Sequence, residues 1–157
     1  MSVEIVRNYF KENKISKEIL EFPVSSATVE LAAQAVGVEP ARIAKTLSFY
    51  TKDKESAILI VTAGDTKIDN SKFKHYFEMK AKMLAAEDVE RMTGHAVGGV
   101  CPFGNPASVS VYLDISMKRF ESVFPAAGSA NSAVEMTCAD LEKYSLAKDW
   151  IDVCKPI

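Results

Sequence analysis

GHAVGGVCPFG, at residues 94–104, is the stretch from which the organisation of the chain is best read. Four of its eleven residues are glycine and one is proline. Glycine lacks a Cβ and tolerates a positive φ, whereas proline fixes its own φ. Such a loop can adopt backbone conformations closed to other residues and is still held rigid at the proline. It is typical of a tight turn, or of backbone N–H groups presented to a ligand. Neither a P-loop lysine nor a GxGxxG pattern is present, so a nucleotide-phosphate cradle is not supported.

Helix and strand patterns alternate on both sides of this loop. The predicted helices cover residues 2–13, 29–36, about 70–77, 86–93 and a segment after Thr137. The predicted strands cover residues 18–22, 44–51, 57–63, 81–84, 108–114, 122–126 and 133–137. Residues 57–63, AILIVTA, are apolar on both faces and should form a central strand. We therefore expect an α/β fold, with residues 1–157 forming a single domain around a curved mixed β-sheet.

The composition excludes several classes of protein. The net charge of −2 gives no general basic field for nucleic acid. The three cysteines are too few and unpaired in spacing for a disulfide framework, and they suggest free thiols in a reducing cytoplasm. We find no pattern for a membrane segment or a zinc site, and we expect no metal and no cofactor.

Lys45 is the most unusual residue of the predicted strand at 44–51. Alternation places it on the same face as Leu47 and Phe49, although a lysine is rarely buried without a partner. If the strand lines a cleft, the amine projects into that cleft. In the alternative, which the pattern slightly favours, the strand begins one residue later and Lys45 is a solvated edge residue.

Three segments together resemble the YbaK/ProX family. They are KTL at 45–47 after the helix pattern TVELAAQAVG at 28–37, GGVCPFG at 98–104, and AAGSANSAVEMT at 126–137. The resemblance extends from about residue 15 to residue 144. Members of this family are aminoacyl-tRNA deacylases, also found as the editing domain of bacterial prolyl-tRNA synthetases. The resemblance implies a partly barrel-like sheet surrounded by helices, and a cytoplasmic trans-editing enzyme that hydrolyses mischarged tRNA such as Cys- or Ala-tRNA(Pro).

The resemblance also implies the site. It gives catalytic roles to Lys45 and Gly98, and substrate-binding roles to the rest of the first loop: Gly99, Val100, Cys101, Pro102 and Phe103. Phe103 is also a candidate for the core. Thr28 is expected to cap its helix and to contact substrate.

The second loop departs from the family, because small polar residues replace a glycine-rich stretch with a basic pair. There we expect Gly128, Ser129 and Asn131 to bind substrate, with Ser129 and Asn131 selecting the amino acid.

The expected partners are the acceptor end of an aminoacyl-tRNA and a synthetase, without a membrane. Residues 67–82 carry five lysines against two acidic residues and are a candidate tRNA surface, or simply a solvated face. Two other functions remain open: a non-catalytic module that binds charged tRNA or a synthetase, and a thiol enzyme that uses Cys101 with His95. The sequence shows no obvious general base, which suggests that a ribose hydroxyl or a thiol of the substrate assists the reaction.

Overall fold

The structure, a computed structural model, describes residues 2–157. Five helices are present: α1 (Ser2–Glu12), α2 (Val29–Val36), α3 (Asn70–Phe77), α4 (Ala86–Thr93) and α5 (Cys138–Ser145), with 3-10 turns at Pro40–Arg42 and Ile115–Arg119. The first five strands are β1 (Ile19–Glu21), β2 (Ile43–Tyr50), β3 (Ala57–Ala63), β4 (Thr66–Ile68) and β5 (Ser110–Asp114). The others are β6 (Ser122–Pro125), β7 (Ser132–Val134), β8 (Met136–Thr137), β9 (Asp149–Ile151) and β10 (Cys154–Pro156).

A curled sheet of half-barrel shape organises the molecule. Its six strands run in the order β8-β6-β2-β3-β5-β9, and two smaller sheets pair β1 with β7 and β4 with β10. Strands β2 and β3 are antiparallel, whereas β2–β6, β3–β5 and β5–β9 are parallel. The prediction of a mixed α/β fold with a curved, partly barrel-like sheet is confirmed.

Strand β3 lies at the centre because its side chains are apolar on both faces. All seven of its residues are buried. Leu59 and Val61 face the larger core, which also contains Phe103 of the glycine-rich loop. Ile58 and Ile60 face a second core beneath α3. Burial of such side chains stabilises the fold by about 1.5–3 kcal/mol each relative to exposure.

The edge of β2 is open over part of its length. On the side away from β3, β2 pairs with β6 only at Ile43 and Ala44. Farther along, the C=O of Ser48 accepts a hydrogen bond from the N–H of Leu84 (3.0 Å). Between these contacts, residues 45–47 have no neighbouring strand on that side within the described part of the chain. A gap of this kind leaves backbone groups free to bind a ligand.

Several short elements differ from the prediction. Strands β4, β9 and β10 were not predicted, because three residues are too few to establish a period of two. The predicted strand at 81–84 is reduced to one bridge between Met83 and Phe49. The predicted strand at 133–137 is divided at Glu135 into β7 and β8, which pair with different strands. Among residues 2–157, no helix combines the length and apolarity that a membrane span requires.

Candidate active site

The open edge of β2 forms one wall of a cleft of about 450 Å³. The other walls come from α2, from α4 with the segment before it, from the glycine-rich loop, and from β6 and β7. Most lining side chains are apolar; the polar ones are Ser26, Thr28, Lys45, Thr46, Ser48 and Ser132. The size and the mixture of apolar walls with a few polar groups are typical of a small-molecule site.

Thr28 borders the cleft where α2 begins. Its hydroxyl accepts a hydrogen bond from the N–H of Leu31 (3.1 Å), and the helix ends at Gly37 with a φ of 83°. The predicted cap is therefore confirmed. Since this cap holds the first turn of α2, Thr28 shapes the wall of the cleft beside Lys45.

Lys45 is half-buried in the wall of the cleft, and its amine donates a hydrogen bond to the C=O of Thr66. Because β2 begins at Ile43 and Lys45 lies inside it, the alternative in which the strand begins one residue later than residue 44 is wrong. Burial lowers the pKa of the Lys45 amine, and nearby negative charge, including Asp65 and Glu30, partly offsets that shift. Among the described residues that line the cleft, Lys45 is the only charged side chain.

Gly98 and Val100 of the glycine-rich loop border the same cleft. Gly98 has a φ of 89°, a conformation that other residues rarely adopt. The N–H of Gly99 donates to the C=O of Ala96 (2.9 Å), whereas the N–H groups of Gly98 and Val100 have no acceptor among the residues the structure describes. These two N–H groups are therefore available to a ligand.

Gly99 holds the two loops together. A Cβ at this position would lie 2.6 Å from the carbonyl oxygen of Gly128, which is closer than real contacts allow. Gly99 is buried and does not line the cleft. Its proximity to Gly128 gives both glycines a packing role, which differs from the predicted contact with substrate.

The second half of the glycine-rich loop lies in the core. Cys101 and Phe103 have no exposed surface, and Pro102 is also buried. None of the three lines the cleft. Phe103 packs edge-on against Phe10 and anchors the loop (ring centroids 5.3 Å apart), which matches its alternative assignment to the core; contact of these three residues with substrate stays a prediction.

His95 and Cys101, the pair considered for a thiol enzyme, lie next to each other. Cys101 Sγ lies 3.6 Å from His95 Nε2, which is itself 2.8 Å from the C=O of Phe103. Both side chains are fully buried. Burial lowers the pKa of His95 and raises the pKa of Cys101 to about 12, so the thiol stays neutral near pH 7. A neutral, inaccessible thiol is a poor nucleophile, and the thiol-enzyme hypothesis loses its support.

Replacing Cys101 by Ala is expected to leave the turnover of any substrate of this cleft within about twofold of the parent, and to cost about 1–2 kcal/mol of stability because a small buried group is lost. Single-turnover rates and urea denaturation check this result. Iodoacetamide should likewise leave the folded parent active. A loss of activity above 100-fold without unfolding would restore the thiol mechanism.

The polar groups of the second loop are bonded to one another and to residues 22–26. Asn131 Nδ2 donates to the C=O of Phe22 (2.9 Å), and Ser129 Oγ donates to Asn131 Oδ1 (2.9 Å). The C=O of Ala130 accepts from the N–H of Ser26 (2.6 Å). These bonds clamp the loop onto residues 22–26. Gly128, Ser129 and Asn131 do not line the cleft, whereas Ser132 and Ala133 do, so the contact of the first three with substrate stays a prediction.

Most residues that line the cleft were not predicted from the sequence; Thr46, Ser48 and Met83 are among them. Thr46 and Ser48 lie on the face of β2 opposite Lys45, and the same alternation that identified Lys45 places them there. Their access to the cleft depends on the gap beside β2, which the sequence does not reveal. Among the described residues, no group of three or more His, Cys, Asp or Glu side chains is placed to hold a metal ion.

Comparisons with known proteins agree with this geometry. A model of the aminoacyl-tRNA editing domain matches residues 24–144. "Uncharacterized protein YwhH" of Bacillus subtilis (strain 168) is 52% identical over 99% of this chain and 98% of its own length. "Putative Cys-tRNA(Pro)/Cys-tRNA(Cys) deacylase EbsC" of Enterococcus faecalis (strain ATCC 700802 / V583) is 27% identical over 80% of this chain and 78% of its own length.

A solved structure is similar over nearly the whole chain. It is described as "Crystal structure of a putative trans-editing enzyme for prolyl tRNA synthetase", with a TM-score of 0.88 and 27% identity over 98% of this chain and 97% of its own. The resemblance drawn from the three sequence segments is confirmed. On the match of the family model to most of its length, the chain belongs to the aminoacyl-tRNA editing domain family.

Proposed function

We propose that residues 1–157 act as one trans-editing deacylase, which hydrolyses the ester between an amino acid and the terminal ribose of a mischarged tRNA. The observation that carries this proposal is the pairing of one half-buried amine, Lys45, with two available N–H groups, Gly98 and Val100, around a largely apolar cleft. The names of the relatives support the same class of substrate.

The chemistry follows from where negative charge develops. Water attacks the ester carbonyl carbon, the carbonyl oxygen becomes negative, and the bond to the ribose oxygen breaks to release the amino acid and the free tRNA hydroxyl. N–H donors and an ammonium aimed at the developing negative charge lower the barrier in a site shielded from water. We assign the carbonyl oxygen to Gly98 and Val100, and a ribose or phosphate oxygen to Lys45.

The proton of the attacking water needs an acceptor. Among the described residues that line the cleft there is no carboxylate and no imidazole. We therefore assign that role to the substrate: the neighbouring ribose hydroxyl relays the proton to the leaving oxygen. In the alternative, a substrate thiol attacks the carbonyl carbon in place of water and its proton goes to the leaving ribose oxygen; the cyclic thioester formed is then hydrolysed by water to the free amino acid. With this assistance from the substrate, the protein itself needs no general base, which agrees with the lack of a carboxylate or imidazole in the described lining of the cleft.

The body of the tRNA is expected to pass over residues 67–82. Lys67, Lys74 and Lys80 are exposed there, whereas Lys72 is paired with Asp152 (3.0 Å). Lys82 precedes Met83, which lines the cleft, so this basic segment reaches the site. Phosphate contacts from such lysines would add affinity without reading sequence. A synthetase is proposed as a further partner, because one similar structure is described as acting with prolyl-tRNA synthetase.

A second candidate function is a non-catalytic module that captures charged tRNA. The absence of an acid or base from the described lining favours it. The two candidates differ only in whether the ester is broken.

A deacylation panel tests the proposal. Purified protein in excess over tRNA charged with Ala, Cys, Ser or Pro should release the amino acid from at least one substrate about 10²-fold or more faster than buffer, since oxyanion donors alone supply effects of that size. The readout is acid-precipitable radiolabel against time. Retarded migration of charged tRNA with no release of the amino acid would favour the binding module instead.

A further inference from the structure

The hydroxyl of Thr46 is buried without a hydrogen-bond partner. Four buried side-chain atoms in the described part of the chain share this property: Thr46 Oγ1, His95 Nδ1, Asn105 Oδ1 and Ser145 Oγ. Of these residues, Thr46 is the one that lines the cleft. An unpaired buried polar atom costs stability, so a ligand that supplies the missing bond gains that free energy on binding.

The backbone of Thr46 is also unpaired. In an antiparallel pair, successive residues direct their N–H and C=O groups alternately toward and away from the neighbouring strand. On β2, the C=O of Ser48 and the N–H of Tyr50 point away from β3, because they bond Leu84 and Lys82 (3.0 and 2.9 Å). Thr46 has the same parity. Its N–H and C=O therefore face the gap, where the structure shows no partner for them among residues 2–157.

One donor and one acceptor of the backbone thus lie beside the Thr46 hydroxyl, next to Lys45. The hydroxyl is covered in the free protein, and because the residue itself is half-buried and lines the cleft, a rotation about χ1 brings the hydroxyl to a ligand. An aminoacyl group offers matching chemistry: its α-amino group donates, its carbonyl oxygen accepts, and its side chain lies one bond away. The neighbouring walls are small or apolar, with Ala44, Val89 and Val100 among them. These walls suit a short side chain and disfavour a charged one.

We infer that Thr46 is the residue that selects the amino acid: its hydroxyl bonds a short side chain carrying a hydroxyl or a thiol, as in Ser or Cys, in preference to Ala. The inference rests on the proposed function. A site with a free polar group discriminates because the wrong ligand leaves that group unpaired. An alanyl ester would leave Thr46 Oγ1 as it is in the free protein, whereas a seryl ester would satisfy it.

Thr46→Val tests the inference, since it removes the hydroxyl with little change of shape. The parent should hydrolyse Ser-tRNA about 10-fold faster than Ala-tRNA, judged by single-turnover kcat/KM, and Thr46→Val should remove most of that ratio. Ser145→Ala is the matched control: it removes another buried, unpaired hydroxyl, on α5 and outside the cleft. Its Ser-to-Ala ratio should equal that of the parent.

Affinities of non-hydrolysable analogues separate this inference from the proposed function. Calorimetry with seryl- and alanyl-adenosine joined by an amide bond should show the same preference for Ser in the parent and its loss in Thr46→Val. An unchanged Ser-to-Ala ratio in Thr46→Val, whether in rate or in affinity, overturns the role of Thr46. Analogue selectivity without hydrolysis of any charged tRNA would instead overturn deacylation and retain Thr46 as a selector.

Discussion

Lys45→Ala is expected to slow single-turnover deacylation by about 10²–10³-fold, the loss that follows when one stabilising donor of a reaction site is removed. The residue provides the only positive charge among the described residues that line the cleft. Its amine is held in place by the C=O of Thr66. No neighbouring side chain is placed to replace it, so the loss should appear for every amino acid in the panel.

The same substitution should leave the melting temperature unchanged or raise it. Burial lowers the pKa of Lys45, so the folded protein binds this proton more weakly than the unfolded chain. The charged amine therefore opposes folding below the folded-state pKa, and this penalty fades as the pH rises toward the unfolded value. Removing the amine removes the penalty at neutral pH. Calorimetry at pH 7 measures the change.

Two variants control for general effects on binding. Lys45→Arg should recover only part of the activity, because a planar guanidinium cannot take the place of a compact ammonium. Lys82→Ala removes an exposed lysine that lies over the ring of Tyr50 (5.7 Å) near the rim of the cleft. It should weaken tRNA binding without a comparable loss in the rate of the bound complex. Parent-like rates in Lys45→Ala would contradict the mechanism.

Gly98→Ala is expected to reduce the deacylation rate by about 10²-fold and to destabilise the protein by about 1–2 kcal/mol. Alanine is strained at the φ of 89° that Gly98 adopts, and its methyl group would lie 3.4 Å from the Cβ of Ala130. Relief of that strain requires the loop to move, which displaces the N–H groups of Gly98 and Val100. Rates and urea denaturation measured on the same preparation check both effects.

Gly37→Ala separates backbone strain from the function of the loop. Gly37 has a similar φ of 83°, but a Cβ there would meet nothing within 4 Å. The two variants should lose similar stability, yet only Gly98→Ala should lose activity. If both variants lose little activity and to the same extent, the glycine-rich loop is a structural turn with no part in the reaction.

The sequence predicted the elements whose signals are local. Residues 57–63 are apolar without interruption and became the central strand, and Thr28 and Gly37 bound α2 as their chemistry requires. The alternation around Lys45 placed it on the same face as Leu47 and Phe49, which pack in the second core, although the sequence slightly favoured a solvated edge position for the lysine. These features depend on neighbours within a few residues, and a single sequence contains that information.

The composition of the cleft depends instead on contacts between distant segments. Asn131 is polar and lies in a predicted site loop, but its amide is used by Phe22, more than a hundred residues away. Nothing in the sequence marks Thr46 as a site residue. It lines the cleft only because β6 stops pairing with β2 beside Ala44. His95 and Cys101 meet because the two ends of an exposed turn at 96–98 are both buried in the core. Long-range pairing of this kind has no local sequence signal.

The central claim is that the ester lies between Lys45 and the N–H groups of Gly98 and Val100. The most direct measurement is NMR titration of ¹⁵N-labelled protein with amide-linked seryl-adenosine. We expect the largest shifts at the Thr46, Gly98 and Val100 amides and at the Lys45 amine, with all of these reduced in Gly98→Ala. Shifts confined to a surface outside the cleft, such as α5 and Trp150, would contradict the claim.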